Sequence, residues 1–459
     1  MNKKSAMTLT NPDRRRFLAA SLGALSLAAL PAWARPAGSG TKAHIVVAGG
    51  GVGGCTVAKY LKLFDPDLRV TVGDRNPVYL RPYGSSEVLT GHVDMADLRV
   101  SYDLLKERYG IEFVIDAITG YYPDARTLAT AGGQTLGYDR LIVAPGIQLL
   151  YDAYEGLSEE IAEQAIPAAW IPGPQTALLA KQLQGMRQGG TFVLVAPPNP
   201  YRCPPGPYER AALAVEWPRP RNPRAKVILL DPKDSFVTDE TMLLGWNRLY
   251  DFNIPPDYRE RISPKVEVHE YATPGMLSWV RGQDGGRLIA VDAVKGRVET
   301  ETDTIAADVI NVIPPMQAGK LAHLLGLTDG SGWCPVNRRT FASSLQPQVH
   351  VIGDACIADD MPKSGFSANT QAKTVARAIV EELAGRPTPE PVWENTCYAL
   401  AGSDYGLFVA DVFRLVDGKI ARTNPGSRYL PLDASPMQIK LAARYQQTWL
   451  RTFTADCFA

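Results

Sequence analysis

The run Tyr201-Arg202-Cys203-Pro204-Pro205-Gly206-Pro207-Tyr208-Glu209-Arg210 places a thiol, two guanidinium groups and a carboxyl in a proline-locked stretch. It follows the strand-like segment Thr191 to Val195, where a second nucleotide-binding unit would keep its phosphate loop. The segment 197–207 holds six prolines, and proline lacks the backbone N–H that a pyrophosphate needs. Chemistry at sulfur is therefore expected here instead of nicotinamide binding. Glu209 is a candidate proton donor and acceptor for that chemistry; the alternative is a salt-bridged helix residue.

The elements that would position such a site can be read around it. A short apolar run, His44 to Ala48, leads into Gly49-Gly50-Gly51-Val52-Gly53-Gly54 and then a helical stretch from Cys55 to about Phe64. Gly49, Gly51 and Gly54 thus lie between a strand and a helix, where glycine lets a pyrophosphate approach the backbone and the helix N-terminus favours its charge. A second strand, Arg69 to Gly73, ends at Asp74, at the spacing that suits a carboxylate accepting from an adenosine ribose. Tyr138 to Gly146 reads as a buried strand stopped by Pro145 and Gly146, and Val349 to Ile352 as another that ends in Gly353-Asp354. A bound dinucleotide is the expectation.

With 459 residues the chain is too long for one core. The fold class expected is α/β, with two doubly wound Rossmann-like domains and a small C-terminal α+β unit. The pieces are a dinucleotide domain over 43–149 and 306–385, a degenerate second domain over 150–305, and a C-terminal interface domain over 386–459. A hairpin turning at Asp417-Gly418 and a helix started by Ser435 and Pro436 belong to the last.

Charge balance, 48 basic against 48 acidic residues, argues against a nucleic-acid partner. The five histidines lack metal-ligand spacing, so no metal site is expected, and no C-x-x-C-H motif is present to carry a haem. Residues 1–34 read as an export signal: Arg14-Arg15-Arg16-Phe17-Leu18, an apolar run to Leu30, and a small-residue cleavage pattern at Ala32-Trp33-Ala34. Its start resembles a twin-arginine signal, which implies a periplasmic protein exported after folding. A basic start to a general secretion signal is the alternative.

Longer matches go further. Val46 to Gly54, Tyr138-Asp139-Arg140 with Val143 to Gly146, Arg202 to Arg210, Gly332 to Val336, His350 to Ala358, Met361 to Gly365 and Asn395 to Tyr398 resemble the flavoprotein subunit of flavocytochrome c sulfide dehydrogenase. That family is related to the sulfide:quinone oxidoreductases and has the glutathione reductase fold. The resemblance implies FAD, with Asp354 on the ribityl chain. Lys363, Ser364 and the helix they begin would face the pyrimidine edge of the flavin; an ordinary exposed lysine is the alternative for Lys363. It further implies a redox disulfide between Cys203 and Cys397 above the flavin, attacked by hydrosulfide and returning two electrons to the flavin, although a purely structural bridge is the competing possibility. Cys334 and Cys356 match family positions without an assigned step, and Cys55 and Cys457 have none.

One departure stands out. The family tethers FAD through a cysteine at the position that here is Pro82, which cannot form a thioether, so noncovalent FAD is expected. The acceptor implied is a c-type cytochrome subunit, in a heterodimer. A quinone-linked sulfide or persulfide oxidoreductase, or a nonenzymatic flavoprotein accessory to periplasmic sulfur oxidation, are the alternatives. Met437, Leu441, Tyr445, Trp449 and Phe453 read as one apolar stripe on the last helix, taken as a docking or core face.

Overall fold

The computed structural model describes residues 43–423 and 428–459; the expected export signal, residues 1–34, lies outside them. Two parallel sheets organise the chain. In the first, the strands run in the order Val349–Val351, Arg140–Val143, His44–Ala48, Arg69–Asp74, Glu112–Ile115. Ile45 to Ala48 and Leu141 to Val143 are fully buried, as strands covered on both faces must be. In the second, the order is Leu277–Val280, Lys226–Leu230, Thr191–Val195, Val309–Val312, again all parallel. The two doubly wound units expected from the sequence are both present.

The boundary on the return differs from the expected residue 306. Val309–Val312 hydrogen-bonds alongside Phe192 to Val195 in the second sheet, so the chain re-enters the first unit only beyond Pro315. There Met316–Ala318 pairs antiparallel with Ile147–Leu149. A four-residue buried strand, three apolar residues and Asn311, carries no mark of which sheet it joins, so the sequence alone points to the wrong neighbour.

Beyond its first strand the second unit carries an aromatic stack. Tyr208 stacks on Phe236 with ring centroids 3.4 Å apart. Asp231, at the end of the second strand where a ribose carboxylate would stand, is fully buried. Its carboxylate accepts from the Tyr208 hydroxyl (2.6 Å) and Trp279 Nε1 (3.2 Å) and pairs with Lys233 (2.7 Å).

The C-terminal unit is an antiparallel meander, Val392–Gly402, Tyr405–Val416 and Lys419–Arg422, closed by the helix Pro436–Phe458 with a Ser435 cap. The hairpin turns at Asp417-Gly418, both with positive φ. The apolar stripe is not a single face. Met437 and Tyr445 are 65% and 55% exposed, whereas Phe453 is in the core. A four-residue step advances 400°, so such a row drifts about 40° per step around a helix of 3.6 residues per turn. The buried face runs instead through Ile439, Ala442, Ala443, Gln446, Leu450, Phe453 and Cys457.

Candidate active site

The glycine turn is tighter than the expected helix start implied. The helix begins at Val52, with Gly51 as its cap, so Gly53 and Gly54 lie inside its first turn. A Cβ on Gly54 would sit 1.8 Å from the Gly49 carbonyl oxygen, and one on Gly49 (φ 113) 2.3 Å from that of Ala144. Only glycine permits this packing. A Cβ on Gly51 would meet only Tyr79 Cε2, in ordinary contact at 3.6 Å, and this helix N-terminus has no side-chain cap. Backbone N–H groups are therefore left for an anion. Asp74 accepts from Gly50 N (2.6 Å) and Asn76 N (2.8 Å). It braces the turn, and its remaining lone pairs suit a ribose hydroxyl.

The opposite wall comes from the strand Val349–Val351. Gly353 turns at φ 79 and donates to Gln371 Oε1 (2.8 Å), which presents Asp354. Asp354 Oδ1 is buried without a hydrogen-bond partner among the described residues. Burial raises its carboxyl above the ordinary range, against the pull of Arg202 and Lys363. An unpartnered buried acceptor is expected to find its donor in a ligand. Gly146 (φ 63) has nothing within 4 Å of a Cβ position, leaving the crossover open beside it. These residues fit FAD: an anion-binding helix start, a ribose acceptor, and an orphaned acceptor for the ribityl chain. Pro82 lies half-buried in a turn, its carbonyl accepting from Ser85 N (3.0 Å).

Lys363 is not the exposed lysine of the alternative reading. Its ammonium donates to the carbonyls of Asp354 (2.7 Å) and Cys356 (3.0 Å) and lies 3.7 Å from the centre of the Trp333 ring; burial lowers its pKa. It fastens the Asp354 turn. The next residue, Ser364, caps the helix Gly365–Leu383, its Oγ accepting from Ser367 N (3.0 Å).

Both candidate cysteines border this Lys363-Ser364 step, Cys203 through its backbone and Cys397 through Asn395. Cys203 N donates to Lys363 O (2.8 Å). Ser364 Oγ donates to Asn395 Oδ1 (2.6 Å), which lies 3.4 Å from Cys397 Sγ. Cys203 itself is held at φ 61, a left-handed conformation rare outside glycine. Its carbonyl accepts from Gly206 N (2.9 Å), so its sulfur rests at the start of the helix Gly206–Glu216. In this structure all six cysteines are free thiols. Cys203 is accessible to solvent while Cys397 is half-buried. Although the Cys203 residue is exposed as a whole, its sulfur is desolvated, which raises its thiol well above the usual range, with the charge of Cys397 next in effect; desolvation raises Cys397 to about 11.

Glu209 joins the two sides. Its Oε1 accepts from Leu400 N (2.9 Å) on the strand that carries Cys397, and burial pushes its carboxyl up to about 8. Trp170, Arg202 and Asn395 complete the surroundings. Arg202 and Asn395 stand inside the matched segments, but Trp170, whose carbonyl accepts from Arg202, carries no sequence signal at all.

Three family models match the chain. Residues 43–166 match pyridine nucleotide-disulphide oxidoreductase, 176–314 the central region of the sulfide dehydrogenase (flavocytochrome c) flavoprotein chain, and 389–458 flavocytochrome c sulphide dehydrogenase, flavin-binding. The sulfide-quinone reductase of Aquifex aeolicus is 24% identical over 388 residues, 80% of this chain and 83% of the relative. The mitochondrial sulfide:quinone oxidoreductase of Mus musculus is 26% identical over 337 residues, 72% and 69% of the two chains. Among solved structures, the sulfide:quinone oxidoreductase of Aquifex aeolicus superposes with a TM-score of 0.67 at 19% identity, over 90% of this chain and 92% of that one. A NAD-dependent persulfide reductase from A. fulgidus gives 0.57 at 15%, over 88% and 76%. The fold is that of the disulfide oxidoreductase flavoproteins.

Proposed function

This chain is of the flavocytochrome c sulfide dehydrogenase flavoprotein type, related to the sulfide:quinone reductases, and from that premise we propose that it oxidises sulfide at a Cys203–Cys397 disulfide beside FAD and delivers the electrons to a c-type cytochrome outside the cytoplasm. The observation that supports the reading is that Cys203 N donates to Lys363 O while Cys397 Sγ lies against Asn395, the partner of Ser364, so that two cysteines remote in the chain border one step next to Asp354. In the oxidised pair, HS⁻ attacks one sulfur and the S–S bond breaks. One cysteine then carries S–SH and the other a thiolate, with charge conserved. FAD, when bound, supplies an acceptor for two electrons that can leave singly. Net oxidation of HS⁻ to sulfane sulfur releases one proton and two electrons. Glu209, its carboxyl pushed up to about 8 by burial, is matched to exchange that proton near neutral pH.

The left-handed Cys203 backbone and its proline loop hold the sulfur in place, as the narrow geometry of a disulfide demands. Pro82 leaves FAD without a thioether partner at the family's tether position, so the cofactor is held noncovalently. A cytochrome acceptor agrees with the two family models named for flavocytochrome c and with a second unit that carries the Tyr208–Phe236 stack beyond its first strand. Quinone is the second reading, favoured by the relatives named for quinone. Export rests on the twin-arginine pattern at Arg14-Arg15.

The test is anaerobic titration of the FAD-loaded protein with sulfide. The native protein should bleach its flavin band and Cys203→Ser should not; full bleaching in the variant rejects the cysteine pair, and none in the native protein supports an accessory role. Supplying a soluble c-type cytochrome or a short-chain quinone to the reduced protein then assigns the acceptor.

A further inference from the structure

Arg210 is 2% exposed, and its donors reach only neutral oxygens. Nη1 donates to Ala168 O (3.0 Å) and Asn311 Oδ1 (3.0 Å), Nη2 to Ala169 O (2.7 Å), and Nε lies 3.4 Å from Ser86 Oγ. No carboxylate among the described residues is within ion-pair distance of it. A buried cation without a counter-ion costs several kcal/mol, so a fold that keeps one implies an anion that arises nearby.

The geometry indicates which. Arg210 stands one turn beyond Gly206, and helical side chains lean back toward the helix N-terminus. A Cβ built on Gly206 would lie 3.0 Å from Cys203 Sγ and 2.6 Å from Trp170 Cη2. The Arg210 guanidinium packs on that same Trp170 ring, 4.9 Å from its centre. Sulfur and cation thus flank one indole at the start of the helix Gly206–Glu216, whose backbone dipole also favours negative charge there. Cys203 and Glu209 are the groups whose charge supports the Arg210 cation against burial. Glu209 keeps its proton up to about pH 8, so the sulfur is the remaining group whose ionisation the cation would favour, against the desolvation that raises its thiol. Desolvation first, then Cys397, Glu209 and Asp354, oppose negative charge on Cys203, and Arg202 favours it.

We infer that Arg210 is the counter-charge of Cys203, a positioning residue that favours the Cys203 thiolate whenever the cysteine pair is reduced. Its catalytic meaning rests on the sulfide reading above, in which the charge brought by HS⁻ remains in the site as a thiolate. The charge pairing itself does not depend on sulfide.

The experiment uses the full-length, FAD-loaded protein, reduced with a phosphine. Iodoacetamide alkylation of Cys203 and Cys397 is followed by peptide mass from pH 6 to 10. An opposite charge within about 4–6 Å moves a titration by about 1–3 pH units, so Arg210→Gln and Arg210→Met should slow Cys203 alkylation about tenfold or more below its plateau. Arg210→Lys should recover most of the rate, and Cys397 should be unaffected. Asn311→Ala removes a neutral partner of Arg210 and keeps the charge, so the Cys203 profile should stay. Gln retains donors for the Ala168 and Ala169 carbonyls and serves if Met does not fold. An unchanged Cys203 profile in the neutral variants, or an equal loss in Asn311→Ala, overturns the inference. Flavin bleaching by sulfide is scored on the same preparations: its absence from the native protein, with the alkylation difference intact, removes the sulfide reading and leaves the charge pair standing.

Discussion

Glu209 shows how a single side chain takes its role from its surroundings. Sequence spacing allowed either a proton carrier or a salt-bridged helix residue; in the fold it forms no ion pair among the described residues and instead accepts from Leu400 N on the Cys397 strand. Its carboxyl, raised from the ordinary 4.5 to about 8 by burial, has a definite consequence for stability. A folded-state pKa above the unfolded one means that the folded protein holds the extra proton between those values. The native protein therefore loses stability as pH rises from about 4.5 to about 8, and is level outside that window. Glu209→Gln lacks this slope. Urea unfolding at pH 4.5, 6.5 and 8.5 should show the variant gaining on the native protein as pH rises, and the limb near pH 8 in the rate of sulfide-dependent bleaching should vanish. A flat stability difference would remove the buried-carboxyl assignment. Cys203, Glu209 and Arg210 were all visible in one run of sequence. Trp170, whose ring packs against the Arg210 guanidinium, was not, because nothing in its local sequence marks it.

At the level of elements, the glycine turn is where sequence and structure agree in kind and differ in register. The helix starts at Val52 instead of near Cys55, because glycines at 53 and 54 serve close packing and not the turn alone. Gly54→Ala would drive a methyl to 1.8 Å from the Gly49 carbonyl, forcing strand and helix apart at the FAD pyrophosphate position. We expect loss of most bound flavin, read as the ratio of flavin to protein absorbance, and a cost of about 1–3 kcal/mol as in other overpacked cores. Retention of full flavin would mean that this turn does not cradle the cofactor. The Asp417-Gly418 hairpin and the Ser435-Pro436 helix start were legible because turn and capping residues act within a few positions. The destination of Val309–Val312 and the buried face of the last helix were not, since both depend on a partner distant in the chain.

For the whole molecule, the arrangement is one unit that fits FAD, a second that holds the Tyr208–Phe236 stack and the internally paired Asp231, and a C-terminal meander whose first strand carries Cys397 and bonds to Glu209. Pro82 makes a plain prediction at this scale: acid precipitation should leave the FAD in the supernatant, and flavin remaining with the pellet would contradict noncovalent attachment. Purification of the mature protein from its own cells should bring a haem absorbance with it if the cytochrome pairing holds, and quinone-dependent turnover without haem would favour the second reading. By itself the sequence determined the α/β class, the glycine cradle, Asp354 at a strand end and the cysteine in place of a phosphate loop, because each is written in neighbouring residues whose backbone preferences act locally. Only the tertiary structure decided that Lys363 fastens a turn, that Asp231 is consumed internally, that Arg210 is buried without a carboxylate, and that positions 203 and 397 border the Lys363-Ser364 step. Those facts depend on which distant surfaces pack together, and packing is settled by burial and hydrogen-bond satisfaction across the whole fold.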